Sequence, residues 1–191
     1  MAVPDYQSVM LPLLRFASEK KDEISTREAI EVLSKEYGLT DEDIKELLPS
    51  GIQSTFDNRV GWASTYMKKA GLLEATRRGY YRITLRGQEL LKKQPKAINV
   101  KLLKQYPEFV EFQKIKGTRS GEKVSSSGGA PDISKATPSE ALETAYENLR
   151  DELVDELLAR LKKSSPTFFE RVVVELLVKM GYGGSRADAG K

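Results

Sequence analysis

The chain has 191 residues, with 31 Lys and Arg against 28 Asp and Glu, a formal net charge of +3, and no cysteine or histidine. The length suggests one or two domains, and 39% hydrophobic with 31% charged residues fits a soluble, partly helical protein. The missing residue types exclude disulfides, cysteine-based zinc sites, thiol nucleophiles and every Ser–His–Asp arrangement.

Residues 5–20 read as a helix with Val9, Leu13, Phe16 and Ala17 on one face. Ser25 or Thr26 caps a second helix through Tyr37, with Ala29, Ile30 and Leu33 inward and Gly38 at its exit. Thr40 followed by Asp41, Glu42 and Asp43 is a dipole-matched start for a short third helix ending at Pro49. After a loop at 50–56, the segment DNRVGWASTYMKKA (57–70) places Val60, Ala63, Met67 and Ala70 at the spacing of a buried helical face. Core packing is the expected role of Trp62 and Tyr66.

Beyond Gly71, LLEAT and YYRIT flank RRG, the pattern of a compact hairpin. Tyr81, Ile83 and Leu85 alternate with Tyr80, Arg82 and Thr84, which gives one apolar and one polar, basic face. A helix at 86–94 follows and ends at Pro95. Residues 98–116 hold Leu102, Leu103, Tyr106, Phe109 and Phe112, too apolar for a free linker, so a docked helical extension is expected over 95–116. Residues 117–137 are Gly/Ser-rich and read as a flexible tether. Thr137-Pro138-Ser139-Glu140 is a capping box that opens a helix to about Lys163, with a stripe from Leu142 through Tyr146, Leu149, Leu153 and Leu157 to Leu161.

Ser165-Pro166 starts a terminal helix that ends near Met180. Phe169, Val172, Val173, Leu176, Leu177 and Met180 share one side, Val174 and Val178 lie on another, and Arg171, Glu175 and Lys179 form the one wet row. Such a helix is built to be covered on more than one side, and it is expected to pack on the helix at 138–163 or to stay partly exposed. Glu170 stands among apolar neighbours. It is either a solvated residue favoured by the helix dipole or an accessory acidic residue beside a metal or lysine site. The tail GYGGSRADAGK fails the phosphate-loop spacing and follows a helix instead of a strand.

Charge is unevenly spread. Residues 1–55 carry 6 basic and 11 acidic groups, 56–94 carry 9 and 3, 95–135 carry 8 and 4, and 136–191 carry 8 and 10. A basic middle between acidic ends is a footprint for a polyanion. Helices followed by a small basic hairpin form the order of a winged helix-turn-helix. The helix at 57–70 then enters the major groove, and the hairpin is the wing. Asn58 and Arg59 suit adenine and guanine edges, Ser64, Thr65 and Lys68 lie outward, and Arg77, Arg78 and Arg82 suit phosphate or the minor groove. Against this stands a plainer reading, in which Arg59 pairs with a carboxylate and the wing arginines are merely solvated.

Residues 3–94 resemble the N-terminal winged-helix domain of Mrr-type restriction proteins, the modification-dependent (type IV) endonucleases of prokaryotes. The likeness runs through VPDYQSVMLPLLRF, NRVGWA…KKAGLLE and RRGYYRIT…G. LRDELVDELL, SPTFFERVVVELL and KMGYGG, within 138–184, resemble the approach to the Mrr catalytic domain. The resemblance implies a mainly α chain with a small β-hairpin: a winged helix at 1–94, the docked extension, the linker, and C-terminal helices at 138–191 that open a PD-(D/E)xK nuclease domain. It further implies double-stranded DNA as the partner, foreign or methylated DNA as the target, a cytoplasmic defence role, and Mg2+ in a complete family member. Glu170 matches the family's helix glutamate. The catalytic Asp and the Q-x-K or E-x-K strand are not found in these residues, so cleavage is not expected from this chain alone and a truncated domain is. No cofactor site and no membrane-spanning run is read, and the apolar stripe at 138–163 leaves homo-oligomers open. The alternatives are a winged-helix transcriptional regulator dimerising through its C-terminal helices and a protein-binding module.

Overall fold

A computed structural model describes residues 3–20, 22–119 and 136–182. The stretch read as a tether lies mostly outside the described residues, as does the tail beyond Tyr182. The chain forms two units, Met1–Glu143 and Thr144–Lys191.

In the first unit, Asp5 caps α1 (Tyr6–Glu19) by accepting from the amides of Gln7 at 2.9 Å and Ser8 at 3.1 Å. The apolar face of α1 is the centre of the core: Val9, Met10, Leu13 and Leu14 have no exposed surface. Ser25 caps α2 (Thr26–Glu36), and a complete Thr40/Asp43 capping box starts α3 (Asp41–Lys45). α3 is shorter than expected because the chain turns after it, through a bridge between Leu47 and Ser54. Ser54 then caps α4 (Thr55–Lys69), two residues ahead of the start read from the sequence. Val60, Ala63, Met67 and Ala70 are fully buried, as their spacing predicted.

β2 (Leu73–Arg77) and β3 (Tyr80–Ile83) form the expected hairpin, with Glu74 opposite Arg82 and a bulge between Ala75 and Arg77. A third strand escaped the sequence reading. β1 (Ile24–Ser25) pairs antiparallel with β3, placing Ile24 opposite Tyr81 in a sheet of order β1-β3-β2. Two residues are too few for an alternation signal. The hairpin's apolar alternation stops one residue early: Leu85 is exposed, because Thr84 caps α5 (Leu85–Lys92) and turns the chain out of the strand.

The extension divides into α6 (Val100–Leu103) and α7 (Pro107–Arg119). Pro107 accounts for the break, since the residue before a proline is pushed out of helical geometry. Ile98, Leu103 and Phe109 are fully buried in the same core as α1 and α4. Phe109 meets Tyr66 edge to face at 5.4 Å, so residues 98–112 complete the winged-helix core. The main chain is thus largely helical with a small antiparallel sheet, in winged-helix order.

α8 (Pro138–Lys163) begins in the first unit and continues into the second, which also holds α9 (Pro166–Lys179). Neither helix buries a side chain among the described residues of the second unit. The stripe of Tyr146, Leu149, Leu153 and Leu157 on α8, and Phe168, Phe169, Leu176 and Met180 on α9, are all exposed. Of the two outcomes foreseen for α9, partial exposure is the one observed. Among the described residues no helix is long and apolar enough to cross a membrane.

Candidate nucleic-acid interface

α4 presents one face to the core, and its opposite face is the one a winged helix turns to a duplex. At 100° per residue, Asn58 lies about 160° around the helix from the midline of the buried face, with Gly61, Thr65 and Lys69 along the same outward strip. Asn58 is nevertheless only 5% exposed. Its cover comes from the capping box that opens α8. Thr137, itself fully buried, donates from Oγ1 to Asn58 Oδ1 at 2.7 Å, while Asn58 Nδ2 donates to Gln53 Oε1 at 3.1 Å.

Three more contacts fasten this segment. Arg59 Nε donates to Glu140 Oε1 at 2.8 Å, and Arg59 Nη1 reaches the carbonyls of Val3 at 2.6 Å and Pro4 at 3.2 Å. The ion pair is largely shielded, with side-chain exposures of 20% and 12%. The Trp62 indole donates to Ser139 Oγ at 3.0 Å, and Ser50 donates through its amide and hydroxyl to the Glu143 carboxylate, both at 2.9 Å. The capping box itself is formed: Thr137 N donates to Glu140 Oε2 and Glu140 N donates to Thr137 Oγ1.

Farther along α4, Ser64 is buried, with its hydroxyl donating to Gly61 O at 2.9 Å. Thr65 is half-buried and donates to the same carbonyl at 2.9 Å. Lys68 lies with its ammonium 5.5 Å from the Tyr81 ring centroid, and its pKa is lowered, first by burial and then by Lys69. Burial also pushes the Asp57 carboxyl above its ordinary range.

The hairpin is open by contrast, and its position is fixed. Gly79 closes its tip at φ +79°, a conformation that favours glycine, and its carbonyl accepts from the amide of Thr26 at 2.8 Å and from its hydroxyl at 3.1 Å. The Arg77 guanidinium stacks 3.7 Å from the Tyr80 ring centroid and pairs with Glu23 at 2.6 Å. A hydrogen bond from Thr76, followed by the charge of Arg77, holds the Glu23 carboxyl below its usual range. Arg82 pairs across the strands with Glu74. Arg78 is exposed at the turn, with no ion pair among the described residues.

Of the eight residues the sequence nominated for DNA, the structure therefore exposes Arg77, Arg78 and Arg82, half-buries Thr65 and Lys68, and buries Asn58 and Ser64. Arg59 has the carboxylate partner of the plainer reading. Asn58 and Arg59 were read as solvent-facing because α4 was taken alone, and their cover arrives from 79 and 81 residues away. Thr137, Ser139 and Glu140 carried a local signal, the capping box, that explained a helix start and gave no hint of its docking, and Glu143 carried none. Glu170 is exposed on α9. Among the described residues no group of three or more Asp, Glu, His or Cys side chains could hold a metal ion.

The profile of the Mrr N-terminal domain matches residues 6–93, the span from the start of α1 to the end of α5. The type IV methyl-directed restriction enzyme EcoKMrr of Escherichia coli is 30% identical over 191 aligned residues, covering 98% of this chain and 62% of that protein. Residues 6–93 are an Mrr N-terminal domain. The chain spans less than two thirds of that relative's length, and no solved structure matches it significantly. In Mrr terms, the matched domain is the winged helix with its basic hairpin. The extension at 98–112 and the segment covering α4 lie beyond the profile but inside the aligned region.

Proposed function

We propose that this chain is the DNA-recognition part of an Mrr-type restriction system, binding duplex DNA on the face formed by α4 and the β2–β3 hairpin. The observation that carries this is the hairpin: three exposed arginines on the β2–β3 hairpin, which Thr26 and Glu23 anchor, within a domain of Mrr type. A guanidinium held on a fixed strand takes phosphate well, and exchanging the exposed Glu23 and Glu74 pairs for phosphate costs little, since such pairs are weak. The relative's description as methyl-directed makes methylated DNA the preferred target, and a restriction system makes the DNA foreign. Cleavage is not assigned to the described residues, and a cytoplasmic location follows from the proposed role. Titrating a labelled duplex, methylated and unmethylated, across a salt series tests the reading. Affinity should fall steeply with salt and be higher for the methylated duplex. Salt-independent binding, or none, would sink DNA recognition, and equal affinities would remove the methyl preference.

A second reading has one observation of its own, the exposed stripe on α8. A winged-helix regulator dimerising through that stripe would run as a tight dimer in size-exclusion chromatography with light scattering, and a monomer would remove it.

A further inference from the structure

The segment 136–143 covers Asn58 on the outward face of α4 and bonds Arg59 and Trp62 beside it, at the N-terminal end of the face that the proposed function turns to DNA. It does so with chemistry that matches a duplex. Glu140 supplies an anion to Arg59 where a phosphate or a guanine edge would, and Thr137 takes the amide of Asn58, the group suited to adenine. Trp62, one turn along, is bonded to Ser139. We infer that residues 136–143 are an autoinhibitory strap: the capping box of α8 closes the reading face of α4, and duplex DNA displaces it.

This rests on the reading of α4 as the DNA-facing helix, and it deepens that reading by adding a closed state. Asn58 reaches a base edge only when Thr137 leaves. Arg59 is free for DNA only when Glu140 leaves. The wing, in contrast, is open in the closed state and makes the first phosphate contacts. A protein whose competent form is a minor fraction binds with its affinity reduced by that fraction, so weakening the strap raises apparent affinity without adding any contact. The strap is held by one shielded ion pair, the two exposed bonds from Ser50 to the Glu143 carboxylate and two neutral hydrogen bonds, strong enough to dominate the free protein and weak enough for a polyanion to replace.

The sequence supplies its own reporter, because Trp62 is the single tryptophan. The experiment uses the full chain and a labelled duplex. Glu140→Ala is compared with wild type and with Glu147→Ala, which removes the same charge from an exposed position outside the strap. Losing a charge-assisted bond of this kind opens the strap by about tenfold, so Glu140→Ala should bind about tenfold tighter than Glu147→Ala. Ser139→Ala leaves the charge unchanged and should tighten binding by about threefold, which guards against a folding defect in the first variant. Trp62 emission should shift to the red and become more accessible to acrylamide in free Glu140→Ala, and in wild type it should change on adding duplex as Ser139 is replaced by DNA. If Glu140→Ala and Ser139→Ala bind no tighter than their controls, or if saturating duplex leaves Trp62 unchanged, the strap is a permanent structural contact and the inference fails while DNA recognition stands. If no variant binds duplex, the reading of α4 fails and takes the inference with it.

Discussion

Replacing Arg77, Arg78 and Arg82 together by Ala removes the open cations of the hairpin and leaves the core untouched. The Arg77 and Arg82 side chains are 62% and 59% exposed, and Arg78 stands exposed at the turn. If each guanidinium neutralises one phosphate, the slope of log K against log salt should flatten by about 0.9 per contact, about 2.7 for all three. Counted from 1 M salt, that slope difference is about 500-fold in affinity at 0.1 M. Arg77 and Arg82 must first leave Glu23 and Glu74, which trims the expected loss to about 100-fold or somewhat more. Exposed substitutions of this kind shift the melting temperature by no more than about 2 °C. Anisotropy titrations at four or five salt concentrations, paired with thermal melts, give both quantities. A triple variant that melts like wild type and binds with the same affinity and slope would refute the wing as the phosphate-contacting element.

Three further outcomes test the fold that carries the site. Phe109→Ala should cost about 3–5 kcal/mol in urea unfolding of the first unit, because the ring is fully buried against Tyr66, and a loss under about 1 kcal/mol would mean that the extension is only loosely attached. Gly87→Ala should cost about 1–3 kcal/mol, since a Cβ there runs into the Leu72 carbonyl, just before β2, and comes within 2.8 Å of Ile83 Cγ1 at the end of β3, and unchanged stability would contradict that close approach. Alkali should unfold the first unit: burial pushes the Tyr6 and Tyr37 hydroxyls up to about 12, and that of Tyr81 higher still. The unfolded phenols titrate near 10, so this stability is complete below about pH 10 and is lost as pH rises through 12. Phenolate absorbance and circular dichroism should then change together, and independent titration of the phenols in an intact fold would overturn the burial.

Local chemistry was legible wherever the sequence acted on itself. Ser25, Thr40 and Thr137 announced helix starts because a capping oxygen bonds an amide three residues away. The 60, 63, 67, 70 spacing announced the buried face of α4, and the aromatic content of 98–112 announced a docked segment. What was not legible is long-range. β1 is two residues that become a strand only because Tyr81 and Tyr80 are opposite them. The break at Pro107 divides a segment that apolar content alone joined. Asn58 and Arg59 illustrate the limit most sharply. They were read as exposed N-terminal residues of a recognition helix, yet a residue is exposed only if nothing else in the chain covers it. The partner was a capping box about eighty residues on, whose local role already accounted for it.

Amide hydrogen exchange of the full chain with and without saturating duplex tests the location of DNA most directly. Bound duplex should concentrate protection in β2, β3 and α4, over residues 55–83, and speed exchange in 136–143 as the strap lifts. Protection absent from the hairpin and α4, or confined to α8 and α9, would contradict that location.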